Sequence, residues 1–197
     1  GKHIAKGIIF SNSPKKFHPN GSRIQDKVKE GLLMMADENI KNPNELEFVV
    51  FCIENVAAKL GVDAERVYQA FTEKSDILNG YIVPEYEVLH TQSREYIVDD
   101  LLDVIKERAV EISFSNGEVQ REQSSGMTAN PILLQKKYCR IIECFAKQQG
   151  LSLDAALNFF YHSEVYQLIR DGVSDMHCMS DAYLVDELEQ EYSRNME

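Results

Sequence analysis

The segment at 87–101 of this chain is written a second time at 174–188, and this duplication constrains the fold more than any other feature. EVLHTQSREYIVDDL and SDMHCMSDAYLVDEL share six of fifteen columns. Further upstream, an offset of 89 residues instead of 87 places Phe51 on Arg140 and Gly61 on Gly150. Because a repeat sets the unit of structure, we interpret the chain as two tandem copies. The identical columns are His90/His177, Ser93/Ser180, Tyr96/Tyr183, Val98/Val185, Asp99/Asp186 and Leu101/Leu188.

Each copy contains three segments with helical periodicity. In the first segment, apolar residues recur at the spacing of one helix face until Gly61 or Gly150 ends it. The second segment opens at Asp63 or Ser152, which are good N-cap residues, and the third follows the shared serine. Three short helices bury little surface alone, so two copies should share a core. The sequence predicts a mainly α fold of two three-helix repeats, packed with pseudo-twofold symmetry.

The rest of the chain surrounds these copies. Residues 1–44 form a basic arm plus a helix predicted at 23–40. The first repeat covers 45–108, a linker covers 109–130 and the second repeat covers 131–197. In the linker, Val110, Ile112 and Phe114 alternate with polar residues before Asn116-Gly117, a pattern typical of a β-hairpin. We therefore also expect a small hairpin at 110–119, or a two-stranded sheet that pairs it with 8–10.

Charge and composition limit the function classes. The net charge is −11, although residues 1–31 carry +5, so the remainder carries −16. An acidic body disfavours binding to nucleic-acid phosphates and is compatible with a basic protein partner. Nucleic-acid binding through the exposed basic arm is a third alternative. No apolar run approaches the length of a membrane span. The four cysteines form no C-x-x-C pair and are expected to be reduced and mostly buried, which favours a cytoplasmic protein.

The paired histidines allow two interpretations. In the structural one, His90 and His177 each hydrogen-bond a backbone group and brace the third helix. In the functional one, they line a shared groove. A metal site needs more ligands than the two copies share, since Asp175 and Asp181 correspond to Val88 and Arg94. We therefore predict no metal ligand, no cofactor and no catalytic residue.

Tyrosines and carboxylates accompany the histidines in both copies. Tyrosine is favoured at protein interfaces, although it also packs at the edge of a core. We predict a cytoplasmic, non-enzymatic protein-interaction module. The alternative is a small-ligand or nucleotide-related enzyme that uses a His90/His177 groove. The predicted binding surface comprises Tyr86, His90, Tyr96, Asp99, Asp175, His177, Asp181, Tyr183 and Asp186.

The phrases LHTQSREYIV and SDMHCMSDAYL carry a resemblance to a known family. They resemble two versions of the signature of an uncharacterised domain family of short helical proteins from bacteria, in particular Firmicutes. That family has no established activity, cofactor or catalytic residue. Its genes are associated with genes for ADP-ribosyltransferase-like proteins. The resemblance therefore implies an antitoxin-like or regulatory partner of a protein encoded next to it.

Overall fold

The computed structural model of this protein describes residues 38–112 and 130–196, and most of these residues are helical. We call 38–112 the first half and 130–196 the second half. The predicted mainly α fold is confirmed. The helices of the first half are α1 (Pro43–Leu60), α2 (Ala64–Thr72), α3 (Tyr86–Leu89) and α4 (Arg94–Glu107), with a π-helical turn at Leu78–Ile82. Those of the second half are α5 (Pro131–Gln149), α6 (Leu153–His162), α7 (Glu164–Arg170) and α8 (Asp181–Met196), with a 3₁₀ segment at Val173–Cys178.

The two longest helices, α1 and α5, begin and end in the same way. Each follows an asparagine, Asn42 or Asn130, whose side chain accepts a hydrogen bond from a backbone N–H of the first turn. A proline then takes the first helical position, where its missing N–H costs nothing. Each helix ends at a glycine in the left-handed conformation, Gly61 at φ 67° and Gly150 at φ 64°. The predicted glycine stops are therefore confirmed.

Serine side chains cap the starts of α4, α6 and α8. Ser93, Ser152 and Ser180 each accept a hydrogen bond, at 3.2 Å, from the backbone N–H three residues further on. The predicted starts of these three helices are confirmed by the bonds. Asp63 precedes α2 as predicted, but its side chain makes no capping bond. Its carboxylate instead lies 3.4 Å from the Arg170 guanidinium.

The prediction of three helices per copy is incomplete. Between the second and third predicted helices, the first half has the π-helical turn and α3. The second half has α7 and the 3₁₀ segment at the same place. These pieces contain four to seven residues. They are too short for apolar periodicity to reveal them.

Both halves contribute to one hydrophobic core. Across the halves α1 packs against α5 and α2 against α6, and the Tyr68 ring stacks on Tyr161 at 5.2 Å. Within the first half α1 packs on α2 and α4, and within the second half α5 packs on α6 and α8. These pairings are those that a twofold axis between the halves requires. The pseudo-twofold arrangement stays a prediction that they favour.

Several predictions outside the repeats need correction or lie outside the described residues. Residues 110–112 are described and form no strand, since Ile112 is buried against the helical core instead. The other parts of the predicted hairpin or sheet, 8–10 and 113–119, lie outside the described residues. So does the helix predicted at 23–40, except for 38–40, which is not helical. There the Ile40 N–H donates to the Asp154 carboxylate at 3.0 Å.

The cysteines are less buried than expected. All four are free, but only Cys52 and Cys139 are buried, whereas Cys144 and Cys178 are exposed. Cys144 lies on the outer face of α5 and Cys178 at the end of the 3₁₀ segment. Across 38–112 and 130–196, no helix is both long enough and apolar enough to cross a membrane.

Candidate functional site

A groove lies in the first half between the start of α1, α3 and the start of α4. Its volume is about 420 Å³ and it is open to solvent on one side. We call it the first-half groove. Such a volume lies within the range of pockets that hold small ligands or anchoring side chains. It is lined by Asn44, Glu47, Phe48, Phe51, Tyr86, His90, Gln92, Arg94 and Ile97.

Ring side chains form a continuous row in this groove. The Tyr86 ring stacks on the His90 ring, with centroids 4.5 Å apart and planes 16° apart. On the Phe48 side of Tyr86 the row continues with the Phe48 ring. It meets the Tyr86 ring edge-on, with centroids 5.5 Å apart. Phe51 lies one turn further along α1, 6.4 Å from Phe48. These contacts hold the rings in defined orientations and leave an apolar wall with polar edges.

His90 is exposed and tied to the backbone of α3. Its Nδ1 atom lies 2.6 Å from the Tyr86 carbonyl oxygen. Because a carbonyl oxygen can only accept a hydrogen bond, Nδ1 carries the proton and donates it. In the neutral ring Nε2 is then an acceptor. The structural interpretation predicted that a backbone bond of His90 braces the helix after Ser93, which is α4. The bond is instead made to Tyr86 in the preceding short helix, α3.

Charged and polar side chains flank the ring row. The Glu47 carboxylate lies 3.7 Å from the Lys136 ammonium group of α5, and both side chains are about half exposed, at 52% and 55%. An exposed pair of this kind contributes little to stability, so Glu47 can exchange its partner cheaply. Arg94 is exposed at the start of α4. The groove therefore combines an apolar wall with separate acidic and basic edges.

The corresponding place in the second half has different chemistry. The repeat comparison places Phe48 on Lys137, Phe51 on Arg140 and Arg94 on Asp181. Asp181 accepts a 2.6 Å hydrogen bond from Arg140 Nε and lies 3.2 Å from the Lys137 ammonium group. These two cations, Arg140 first, hold the pKa of Asp181 below its usual range. Where the first half has an open row of rings, the second half has an ion-paired cluster.

The remaining predicted surface residues are dispersed. His177 is half-buried next to Gly172 and is not among the residues that line the first-half groove. Tyr96 and Tyr183 are exposed, at 54% and 44%, one turn into α4 and α8. The structure thus brings Tyr86 and His90 together in the groove and does not add His177 to them. Asp99 and Asp186 are exposed on α4 and α8, and Asp175 is exposed in the 3₁₀ segment.

Two phenylalanines of the groove, Phe48 and Phe51, are not among the predicted surface residues. Phe48 and Phe51 lie beside the apolar stripe that predicts α1, so they were not needed to explain the helix. Two phenylalanines three residues apart lie on the same face of a helix. That spacing was the available signal for a second apolar face on α1.

A second cluster, also missed, lies between the halves. Glu54 of α1 accepts hydrogen bonds from the hydroxyl groups of Tyr161 at 3.1 Å and Tyr166 at 3.2 Å. The Arg170 guanidinium lies over the Tyr166 ring, 5.8 Å from its centroid. Burial raises the pKa of Glu54 from 4.5 to about 7, although both tyrosine bonds and Arg170 oppose the change. Burial likewise raises the pKa of both tyrosines, so their hydroxyls remain donors.

The tyrosines of the Glu54 cluster lie in the core, while Glu54 and Arg170 are partly exposed. Tyr161 and Tyr166 are fully buried, and Tyr138 and Phe160 pack against the Tyr166 ring at 5.5 Å and 5.2 Å. We therefore assign this cluster to the contact between the halves. Over the parts of the chain that the structure describes, no group of three or more His, Cys, Asp or Glu residues could hold a metal ion.

Comparison with known proteins extends this description in one respect. Residues 47–108 match a family model described as Protein of unknown function (DUF3791). The matched residues contain most of the first-half groove and all of α2, α3 and α4. They agree with the resemblance to an uncharacterised domain family, and the second half lies outside them. The comparison with curated proteins gave no match, and neither did the comparison with solved structures.

Proposed function

We propose that this protein is a non-enzymatic protein-interaction module that holds a segment of a partner protein in the first-half groove. The observation that carries the proposal is the row of rings formed by Phe51, Phe48, Tyr86 and His90 along an open groove. Rings with polar edges are enriched in protein interfaces, because they bury a large area at a small cost in conformational entropy.

The size of the groove favours a linear segment over a broad protein face. About 420 Å³ accommodates a few bulky side chains. Val88 on α3 and Tyr96 on α4 are exposed, but each lies two positions after a groove residue, a helical spacing that places side chains on different faces. We therefore assign the partner segment to the residues that line the groove.

The sequence resemblance favours a specific form of this proposal. In that form the chain is an antitoxin-like or regulatory protein, and its partner is similar to ADP-ribosyltransferases. The alternative, an enzyme that uses a groove shared by both repeat histidines, has less support. The first-half groove is lined by His90 but not by His177.

A peptide selection tests the binding function and requires no purified partner protein. A random peptide library displayed on phage is selected on the immobilised protein, and the affinities of the enriched peptides are measured by fluorescence polarisation. Wild type is compared with His90→Ala and with His162→Ala. His162 is the matched control because it is also exposed and its Nδ1 lies 2.8 Å from the carbonyl oxygen of Asn158, four residues earlier.

We expect His90→Ala to weaken binding at least about fivefold, which corresponds to the roughly 1 kcal/mol that marks an energetically important interface residue. His162→Ala should bind as tightly as wild type. Circular dichroism shows whether both variants are folded. Two results would refute the proposal: no peptide enriched on wild type, or enriched peptides that bind His90→Ala with undiminished affinity.

A further inference from the structure

We infer that the first-half groove takes a basic segment with a bulky apolar anchor, and that the matching place in the second half is closed by its own ion pairs. This inference rests on the proposed function and deepens it. It assigns a basic, apolar-anchored segment to the groove as its partner. It also assigns binding to the first half and not to the matching place in the second half.

The second half shows what occupies this place when it is closed. Lys137 and Arg140 stand where the first half has Phe48 and Phe51, and both reach Asp181. Lys137 also donates to the Met179 carbonyl oxygen at 2.5 Å, and only 14% of its side chain is exposed. These bonds tie α5 to the start of α8. The cationic side chains therefore lie across the space between the two helices.

The first half lacks the residues for such a closure. Phe51 cannot form an ion pair, and Arg94 replaces the acceptor carboxylate. Gln92 stands where the second half has Met179 and offers the same backbone carbonyl, but Phe48, which stands where Lys137 does, has no side-chain N–H to donate to it. The space between α1 and α4 consequently stays open as a groove with an apolar wall.

Charge decides which segment fits the open groove. Residues 38–112 carry sixteen Asp or Glu and seven Lys or Arg, a net charge of −9. Glu47 lines the groove from α1, and Glu87 and Glu95 are exposed on α3 and α4, the other two helices that bound it. Complementary charge speeds association and disfavours wrong partners. A segment with a bulky apolar residue for the ring row and lysines or arginines beside it satisfies both parts.

The closure can be transplanted to test the inference. The double variant Phe51→Arg/Arg94→Asp gives the first half the Arg140–Asp181 pair of the second half. We expect this closing variant to lose at least about tenfold in affinity for the peptides selected on wild type. Arg94→Asp alone should instead bind the same peptides more tightly, because it removes a cation and leaves the ring row in place. The reciprocal exchange Arg140→Phe/Asp181→Arg lies outside the first-half groove and should leave the affinity of that groove for the selected peptides unchanged.

A second variant covers the case in which the closing variant does not fold. Glu47→Lys changes an exposed side chain into the residue that the second half has at this position, Lys136. Glu47→Lys should lower the affinity for basic peptides about fivefold. The loss should be larger at low salt than at high salt. Urea unfolding followed by circular dichroism establishes that each variant is folded.

The outcomes separate the two proposals. If wild type enriches no peptide, the proposed function fails and this inference fails with it. If wild type enriches peptides that lose affinity with His90→Ala, the proposed function stands. The inference is then overturned by either of two results: enriched peptides without excess lysine and arginine, or undiminished binding to a folded closing variant and to Glu47→Lys. Loss of binding in both variants supports it.

Discussion

Replacement of Glu54 by glutamine should make the protein more stable at alkaline pH and change its stability little in acid. Glu54 lies at the contact between the halves, where it accepts hydrogen bonds from Tyr161 and Tyr166. A glutamine side-chain oxygen can accept the same two bonds, and it carries no charge to be desolvated. Glu54→Gln therefore removes the ionisation and retains the geometry.

The sign and the magnitude follow from the raised pKa of Glu54. Burial raises it from 4.5 to about 7, so the folded protein holds a proton that the unfolded chain releases. The contribution of Glu54 to stability is therefore fully present below about pH 4.5, and it is lost as the pH rises through about pH 7. At 1.36 kcal/mol for each unit of pKa, the loss is roughly 3 kcal/mol when complete, of which about 2–3 kcal/mol falls between pH 5 and 8.

Urea unfolding followed by circular dichroism at about pH 5 and about pH 8 measures this difference. The unfolding free energy of the variant minus that of wild type is compared between the two pH values. Taking this difference is necessary because Asp154 and Asp181 contribute pH dependence to both proteins. Glu143→Gln is the matched control, since the repeat comparison places Glu143 on Glu54 and the formal charge change is identical. An equal difference in unfolding free energy at both pH values would refute the raised pKa of Glu54. If Glu143→Gln shows a pH-dependent difference of the same size, the change in net charge explains the result instead.

Three further substitutions test individual contacts of the fold. Glu191→Ala should cost about 1–3 kcal/mol of unfolding free energy, because the Glu191 carboxylate accepts the first two N–H groups of α7 at 2.8 and 3.3 Å; Gln190→Ala is its exposed control. Tyr81→Phe should cost about 1 kcal/mol through the loss of its 2.7 Å hydrogen bond to Asp100, and an unchanged urea midpoint would contradict this. Gly150→Ala should cost about 1–2 kcal/mol from its left-handed φ of 64° alone, since nothing lies within 4 Å of the added methyl group. A thermal melt that shows no loss would remove that explanation.

The sequence predicts those parts of the fold that depend on local signals. Helix stops at Gly61 and Gly150, and helix starts at Ser93 and Ser180, are predictable because caps act within a few residues. The intervening elements escape prediction because π-helical, 3₁₀ and one-turn helical pieces have no periodicity to recognise. The expected strand at 110–112 failed for a related reason. Alternation of apolar and polar residues indicates only that one side of a segment is buried. Here Ile112 is buried against helices and not within a sheet.

The candidate site was predicted only in part because it depends on contacts between distant residues. The repeat identifies His90, and the structure places it on Tyr86, which is a second predicted residue. The repeat also suggests that His177 joins them, if identical columns share one surface. The structure instead surrounds His90 with residues of the first half alone. Identity between copies marks equivalent positions in two units, and equivalent positions need not meet.

The columns that differ between the copies carry more functional information than those that agree. Ser93 and Ser180 recur because each caps the last long helix of its half, and this requirement is structural. Phe51 and Arg140 occupy one column with opposite consequences, since one lines an open groove and the other pairs with Asp181. The exchange lies outside the fully buried residues of α1 and α5, although Phe51 packs against the edge of the core. In the predicted tandem repeat, two similar units can thus differ at this place, with a groove in the first half and ion pairs in the second.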